Sequence, residues 1–159
     1  MASWKELEES APEFAARVRG HLDARVHKTL ATVRADGSPR ISGIETFFGD
    51  GDLWLGSMPN ARKALDLLRD PRFALHSGSV DPPEWDGDAK ITGSAHEITD
   101  RDRRLAVYQS RGSAPPGAES HLFRLDIHEA ALVGLNDARN RLVIELWRPG
   151  RELTRIERE

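Results

Sequence analysis

The 159-residue sequence contains no cysteine, and this absence excludes several kinds of chemistry. Thiol nucleophiles, Cys-ligated zinc, iron–sulfur clusters and disulfide scaffolds all need the missing side chain. No stretch approaches the roughly 20 apolar residues of a membrane-spanning helix. The N-terminus opens into an acidic stretch and lacks the basic and apolar segments of a signal peptide. We therefore expect a cytoplasmic protein with no membrane partner.

An excess of positive charge is also missing. The 23 Lys and Arg residues against 26 Asp and Glu give a formal net charge of -3, whereas nucleic-acid-binding domains normally carry a basic excess. We expect no nucleic-acid partner. The six histidines show no spacing typical of metal ligands, so no metal site is predicted. The length suits one domain, placed at residues 1–150 with an N-terminal helix inside 1–25, followed by a charged surface tail at 151–159.

The hydrophobic pattern predicts a mainly β fold. Apolar residues that recur every four positions indicate a first helix, for which Ser10-Ala11-Pro12-Glu13 has the spacing of a capping box. Asn60 and Thr99 are the predicted N-caps of two further helices. Strands with a period of two are predicted at residues 28–33, 40–47, 53–57, 72–77, 88–98, 122–128, 131–135 and 141–147. Many short antiparallel strands with a few short helices imply a small barrel.

One face of the strand at residues 88–98 is made mostly of small side chains. Ala89, Ile91, Gly93 and Ala95 alternate with polar residues. Small side chains let a neighbouring element approach closely, so we expect a helix or a second chain to pack on this face.

The segment from Leu53 to Ser77 carries the clearest chemical signal. Arg62 and Lys63 fall in the first turn of a predicted helix, where the positive end of the helix dipole opposes cations. A bound anion reverses this effect, because free backbone amides and two cations together form a phosphate site. From the local sequence alone, a solvated pair on an amphipathic helix explains the same residues equally well.

The sequence Leu53-Trp54-Leu55-Gly56-Ser57, followed by Ala61-Arg62-Lys63-Ala64 and Asp70-Pro71-Arg72, resembles the flavin-phosphate segment of the pyridoxamine 5'-phosphate oxidase-like split-barrel family. The turn at Gly37-Ser38-Pro39 and the later Gly93-Ser94-Ala95 follow the family order. The resemblance, over about residues 28–98, implies a mainly β (α+β), six- to seven-stranded antiparallel split β-barrel with short flanking helices. It also implies a homodimer with its cofactor between the subunits.

Carried over residue by residue, the resemblance implies that Lys63, with Arg62, binds the cofactor phosphate. Gly56 and Ser57 would lie beside the ribityl chain, and a polar residue, Asp88, would lie towards the ring. A cation, Arg40, begins the second strand, along which three residues would follow the isoalloxazine edge: Ile41, Ser42 and Gly43.

The implied cofactor is FMN or the deazaflavin coenzyme F-420, and the implied activity is hydride transfer to or from a small organic substrate. Because the cofactor would supply this chemistry, no catalytic residue is predicted. The alternative is a non-enzymatic flavin or haem carrier of the same fold.

Two departures from the family pattern concern the substrate. Glu45 stands where the oxidases have a basic residue, and their C-terminal Arg-Leu-x-Pro motif has no good counterpart. We therefore do not expect the chain to oxidise pyridoxamine phosphate. Trp85, in the proline-rich loop at 78–87, either covers the cofactor ring, supplied across the dimer, or anchors its own loop.

Overall fold

The computed structural model describes all residues from Met1 to Glu159. Four helices and eight strands make up the chain, and the strands dominate, as predicted. In chain order the elements are α1 (Trp4–Ser10), α2 (Pro12–Asp23), β1 (His27–Val33), β2 (Pro39–Gly49), β3 (Asp52–Ser57), α3 (Arg62–Arg69), β4 (Arg72–His76), β5 (Asp88–Glu97), α4 (Arg101–Ser110), β6 (His121–Leu135), β7 (Leu142–Trp147) and β8 (Thr154–Arg158).

Six strands close into an antiparallel barrel. The strand order is β3-β2-β1-β4-β5-β6, and β3 also pairs with β6, which joins the two ends. β7 and β8 continue from β6 as a ribbon outside the barrel. The predicted split β-barrel with flanking helices is therefore confirmed.

The core fills the barrel and extends beneath α2. Phe14, Val18 and Leu22 lie one turn apart on α2 and are all buried against the sheet, as the four-residue period predicts. Trp4 and Leu7 add to this core from a separate helix, α1. α1 and α2 thus cover one side of the barrel.

The first helices begin at other residues than the sequence suggested. The capping box is formed by Ser3 and Glu6 at the start of α1. Ser10 instead ends α1, and its hydroxyl donates to the Leu7 carbonyl. α2 follows with Pro12 at its first position, where a missing N–H costs nothing.

The other two predicted N-caps are also wrong, each by one residue. α3 begins after Ala61 without a side-chain cap, and Asn60 instead takes a left-handed conformation with φ of 58°. At α4 the cap is Asp100, whose carboxylate accepts from the Arg103 amide. Thr99 precedes it.

The small-residue face of β5 packs inside this chain. Ala89, Ile91 and Ala95 are buried in the core, where α2 and α3 pack against β5. Of the two predicted occupants, the structure shows the helix. A second chain cannot use this face.

β5 approaches β6, its neighbour in the sheet, at unusually short range. A Cβ on Gly93 would lie 1.8 Å from the Asp126 carbonyl oxygen, so the backbones meet closely there. The register shifts between Thr92 and Gly93, and β6 continues through the shift. One long strand therefore replaces the two predicted at 122–128 and 131–135.

The C-terminal segment, expected as a charged tail, contains β8. Its residues Thr154–Arg158 are exposed and pair with β7. No helix of the chain has both the length and the apolar character needed to cross a membrane.

Candidate functional site

A buried carboxylate fixes α3 against the barrel. Asp66 accepts hydrogen bonds from Thr32 Oγ1 (2.8 Å), Arg40 Nε (2.6 Å) and Arg69 Nη2 (3.1 Å). Burial by itself would raise the pKa of Asp66, but these three donors outweigh burial and lower it to about 2. The helix is thereby tied to β1 through Thr32 and to β2 through Arg40.

The start of α3 is positively charged and uncapped. Its first turn contains Arg62 and Lys63, no acidic residue and no side-chain cap. Lys63 Nζ donates to the Gly43 carbonyl oxygen on β2 at 3.0 Å, and Arg62 is exposed. The first turn of α3 thus has no side-chain cap and carries two cations without a carboxylate partner.

A cavity of about 930 Å³ lies beside this helix start. One wall is the outer face of β2 and β3, where Gly43, Gly56 and Ser57 meet Lys63. The opposite wall is the end of α4 and the loop at 111–120. This volume is within the range of small-molecule and cofactor sites.

The cavity lining also combines aromatic rings, Phe47 on β2 and Tyr108 on α4, with hydrogen-bond donors. The Phe47 and Tyr108 rings are 5.7 Å apart, and the Arg111 guanidinium lies 4.4 Å from the Phe47 ring centroid. Burial raises the pKa of Tyr108, so its hydroxyl stays protonated as a donor. That oxygen is 3.5 Å from where a Cβ of Gly56 would be.

Two acidic residues also line the cavity, so its charges are mixed. Glu45 Oε1 is 3.5 Å from His27 Nε2, and both side chains are largely exposed. Glu119 belongs to the opposite wall. A ligand with a single dense negative charge therefore fits beside Lys63 better than beside Glu45.

Residues 16–134, about three quarters of the chain, match the family model described as Pyridoxamine 5'-phosphate oxidase. The chain belongs to this family. The resemblance based on residues 53–72 is therefore confirmed, and the match extends it into α2 and along β6. A search of curated protein sequences found no match.

Solved structures share the fold of this family member at low sequence identity. PhzG from Burkholderia lata 383, in complex with tetrahydrophenazine-1-carboxylic acid, has a TM-score of 0.62 and 16% identity, over 94% of this chain and 87% of PhzG. A pyridoxamine 5'-phosphate oxidase-related, FMN-binding protein from Nostoc punctiforme gives 0.65 and 14%, over 96% of both chains. Campylobacter jejuni ChuZ gives 0.68 and 10%, over 91% of this chain and 63% of ChuZ.

The structure brings together four of the nine predicted cofactor residues of this oxidase-family chain. Those that line the cavity are Gly43, Gly56, Ser57 and Lys63. Arg62 is next to them in the first turn of α3. Sequence reasoning missed Tyr108 and Arg111, although a helix that ends in a loop rich in Gly and Pro is a usable signal for a ligand-binding wall.

The other predicted residues lie outside the cavity lining. The Arg40 guanidinium contacts Asp66, Ser42 is half-buried, and Ile41 is 74% exposed on the outer face of β2. Asp88 begins β5, and its Oδ1 lies 3.4 Å from His76 Nε2.

The proline-rich loop at 78–87 also lies away from the cavity of its own chain. The carbonyl oxygens of Pro83 and Trp85 accept hydrogen bonds from Arg139 Nη2 at 3.3 and 3.2 Å. These contacts anchor the loop to the β6–β7 turn. Within one chain, the residues that cover the cavity come from the 111–120 loop instead.

Proposed function

We propose that the cavity binds a phosphorylated flavin-type cofactor, either FMN or the deazaflavin coenzyme F-420. The observation that carries this proposal is a cavity of about 930 Å³ whose lining includes both Lys63 and the aromatic pair Phe47 and Tyr108. The family match supports it, because flavin phosphate binding is what the resemblance of residues 53–72 implies.

The phosphate would bind at the start of α3. The Lys63 ammonium has three donors, of which one is used on the Gly43 carbonyl. The uncapped amides of the helix add partial positive charge, and the Ser57 hydroxyl lines the same cavity. Arg62 would add a second cation from the same turn.

The ring would lie between β2 and the end of α4. A Cβ on Gly43 would meet nothing within 4 Å, so the strand leaves open space where a flat ring can approach the backbone. Tyr108 and Arg111 would donate hydrogen bonds to oxygen or nitrogen acceptors at the ring edge. The positive charge of Arg111 would also favour a ring that gains negative charge.

We propose that the protein is an oxidoreductase for a small organic substrate. A bound flavin or deazaflavin supplies hydride transfer, while the protein supplies binding, orientation and exclusion of water. Glu45 in the cavity would repel a substrate phosphate, which supports a substrate other than pyridoxamine phosphate. Ile41, Ser42, Arg40 and Asp88 remain predicted cofactor residues.

We also propose a homodimer with the cavity near its interface. Large apolar side chains beside the cavity are exposed, with Ile41 at 74%, Met58 at 76% and Val26 at 64%. Burying such a patch is the usual reason for its presence. Trp85 and its loop would then come from the partner subunit. Sedimentation velocity should show a dimer, and Ile41→Glu should shift it towards monomer.

The experiment that tests the cofactor is a titration of the purified protein with FMN, F-420 and haem separately, followed by visible absorption. We expect FMN or F-420 to bind. Loss of a charge-assisted contact costs roughly 1.5 to 3 kcal/mol, so Lys63→Ala should bind about 10- to 100-fold more weakly. Lys5→Ala, which changes an exposed side chain on α1, is the control and should leave affinity unchanged.

Four outcomes of this experiment separate the alternatives. Turnover of the bound cofactor with a reductant and an acceptor panel supports the enzyme, and binding without turnover supports a carrier. Unchanged affinity in Lys63→Ala would remove the phosphate assignment. Tight binding of none of the three compounds would contradict both functions.

A further inference from the structure

His121 lies beside the end of β3, the strand that leads to the candidate phosphate site. It is the first residue of β6 and pairs with Ser57, the last residue of β3. Its side chain is only 13% exposed, and its Nδ1 lies 2.7 Å from Glu97 Oε1. The ring also stacks on Phe123, with centroids 6.0 Å apart and planes at 20°.

The second ring nitrogen of His121 contacts the loop at 58–61, which joins β3 to α3. The Asn60 amide donates to His121 Nε2 at 3.3 Å. Because a backbone amide can only donate, Nε2 must be the unprotonated nitrogen. The proton is then on Nδ1, where Glu97 accepts it. Glu97 thus fixes the tautomer that Asn60 requires.

Asn60 needs such a restraint, because its conformation is uncommon. Its φ of 58° is in the left-handed region, which Asn adopts more readily than most residues but still at a cost. Three residues later the chain reaches Lys63. Within the loop itself, the Ala61 amide donates to the Met58 carbonyl at 3.2 Å.

We propose that Glu97 and His121 are positioning residues for the phosphate site. They hold the loop at 58–61 so that the first turn of α3 presents its amides and Lys63 to the phosphate of the cofactor. Neither side chain is assigned a contact with the cofactor. The proposal rests on the proposed function, because it concerns the same phosphate end of the cavity.

The test compares FMN with riboflavin, which lacks the phosphate, in wild type and variants. His121→Phe removes the acceptor and should lower the FMN-to-riboflavin affinity ratio about tenfold, while riboflavin affinity stays unchanged. His121→Gln should keep the ratio, because its amide can accept from Asn60 and donate to Glu97. If F-420 is the compound that binds, the same comparison uses F-420 and its phosphate-free chromophore.

A second variant and a control complete the test. Glu97→Leu leaves the imidazole in place but frees its tautomer, and should also lower the ratio. If His121→Phe does not fold, the affinity ratio of Glu97→Leu tests the proposal. His96→Phe is the control, because His96 forms a similar pair with Asp126, at 3.4 Å, on the barrel surface. It should leave the ratio unchanged.

The outcomes separate this proposal from the proposed function. A wild-type protein that prefers FMN, with an unchanged ratio in the folded variants, would overturn the positioning role alone. Equal losses for FMN and riboflavin would also overturn it, since a general structural defect acts on both. A wild-type protein that binds FMN no better than riboflavin would instead overturn the phosphate site itself.

Discussion

Gly93 and Gly43 are both strand glycines, but they belong to regions with opposite requirements. A Cβ on Gly93 would lie 1.8 Å from the Asp126 carbonyl oxygen, whereas a Cβ on Gly43 would meet nothing within 4 Å. The β5–β6 ladder leaves no space, and the outer face of β2 leaves space beside Lys63. The first glycine is required by the fold, and the second leaves room for a ligand.

Charged residues also differ between the barrel side of α3 and the cavity. Beneath α3, Arg40 and Arg69 both bind the buried carboxylate of Asp66. At the cavity, Lys63 bonds a carbonyl and Arg111 stacks on a ring, and neither is paired with a carboxylate. The cations beneath α3 are paired with a carboxylate, whereas Lys63 and Arg111 leave their charge available to a ligand.

Gly93→Ala should have the largest effect, a loss of about 3 kcal/mol or more in the free energy of unfolding. The new methyl group collides with backbone that the register shift already fixes. Urea unfolding measures this loss. Gly20→Ala, at an exposed position of α2, is the control, and we expect a gain of about 0.5 to 1 kcal/mol in the free energy of unfolding. A Gly93→Ala protein as stable as wild type would show that the fold does not require this glycine.

Asp66→Ala should lower the free energy of unfolding by on the order of 2 to 3 kcal/mol at neutral pH. The folded pKa of about 2 lies below the ordinary 3.8, so the ionised carboxylate stabilises the fold above pH 4. That contribution is lost as the pH falls towards 2. Urea unfolding at several pH values should therefore show the two proteins converge on acidification.

The control for this variant is Glu9→Ala, which removes an exposed ion pair with Lys5 and should change stability little. A difference between wild type and Asp66→Ala that does not change with pH would contradict the role of the charge.

Gly43→Val should weaken cofactor binding about tenfold or more without loss of stability. Valine suits a strand, and its side chain would occupy the open space of the cavity. The absorption titration and urea unfolding measure the two effects separately. Full affinity in the folded variant would show that no ligand approaches β2 at this point.

Asp52→Asn should have the smallest effect, a gain of about 0.5 to 1 kcal/mol at neutral pH. Burial raises the pKa of Asp52, and its Oδ1 has no hydrogen-bond partner. A raised pKa means that stability falls as the pH rises through the titration, so the gain should vanish in acid. Thermal unfolding at pH 4 and 7 tests this. A loss of stability in Asp52→Asn would show instead that the ionised carboxylate of Asp52 stabilises the fold.

Much of the fold could be predicted because its signals are local. Period-two alternation located the barrel strands, and the stripe of Phe14, Val18 and Leu22 located the face of α2. Helix starts could not be fixed as well. Both Ser3 and Ser10 stand three residues before a glutamate, and only the position of Pro12 at the start of α2 separates them.

The candidate site was harder to predict because partners distant in sequence decide it. Nothing near Arg40 indicates that Asp66, 26 residues further on, would bind it. The wall formed by Tyr108 and Arg111 lies far along the chain from Lys63, and only barrel closure brings it near. Lys63 was predictable because the helix start that it needs is adjacent.

Barrel closure also determines how the chain can fold. The β3–β6 ladder pairs Trp54 with Arg124, about 70 residues further along. The hairpins from β1 to β3 are local, but the pairing that completes the barrel must wait until β6 has been placed. Folding dominated by such distant contacts proceeds in milliseconds to seconds. The cavity wall at 111–120 leads directly into β6, so we expect it to become ordered only with the strand that closes the barrel.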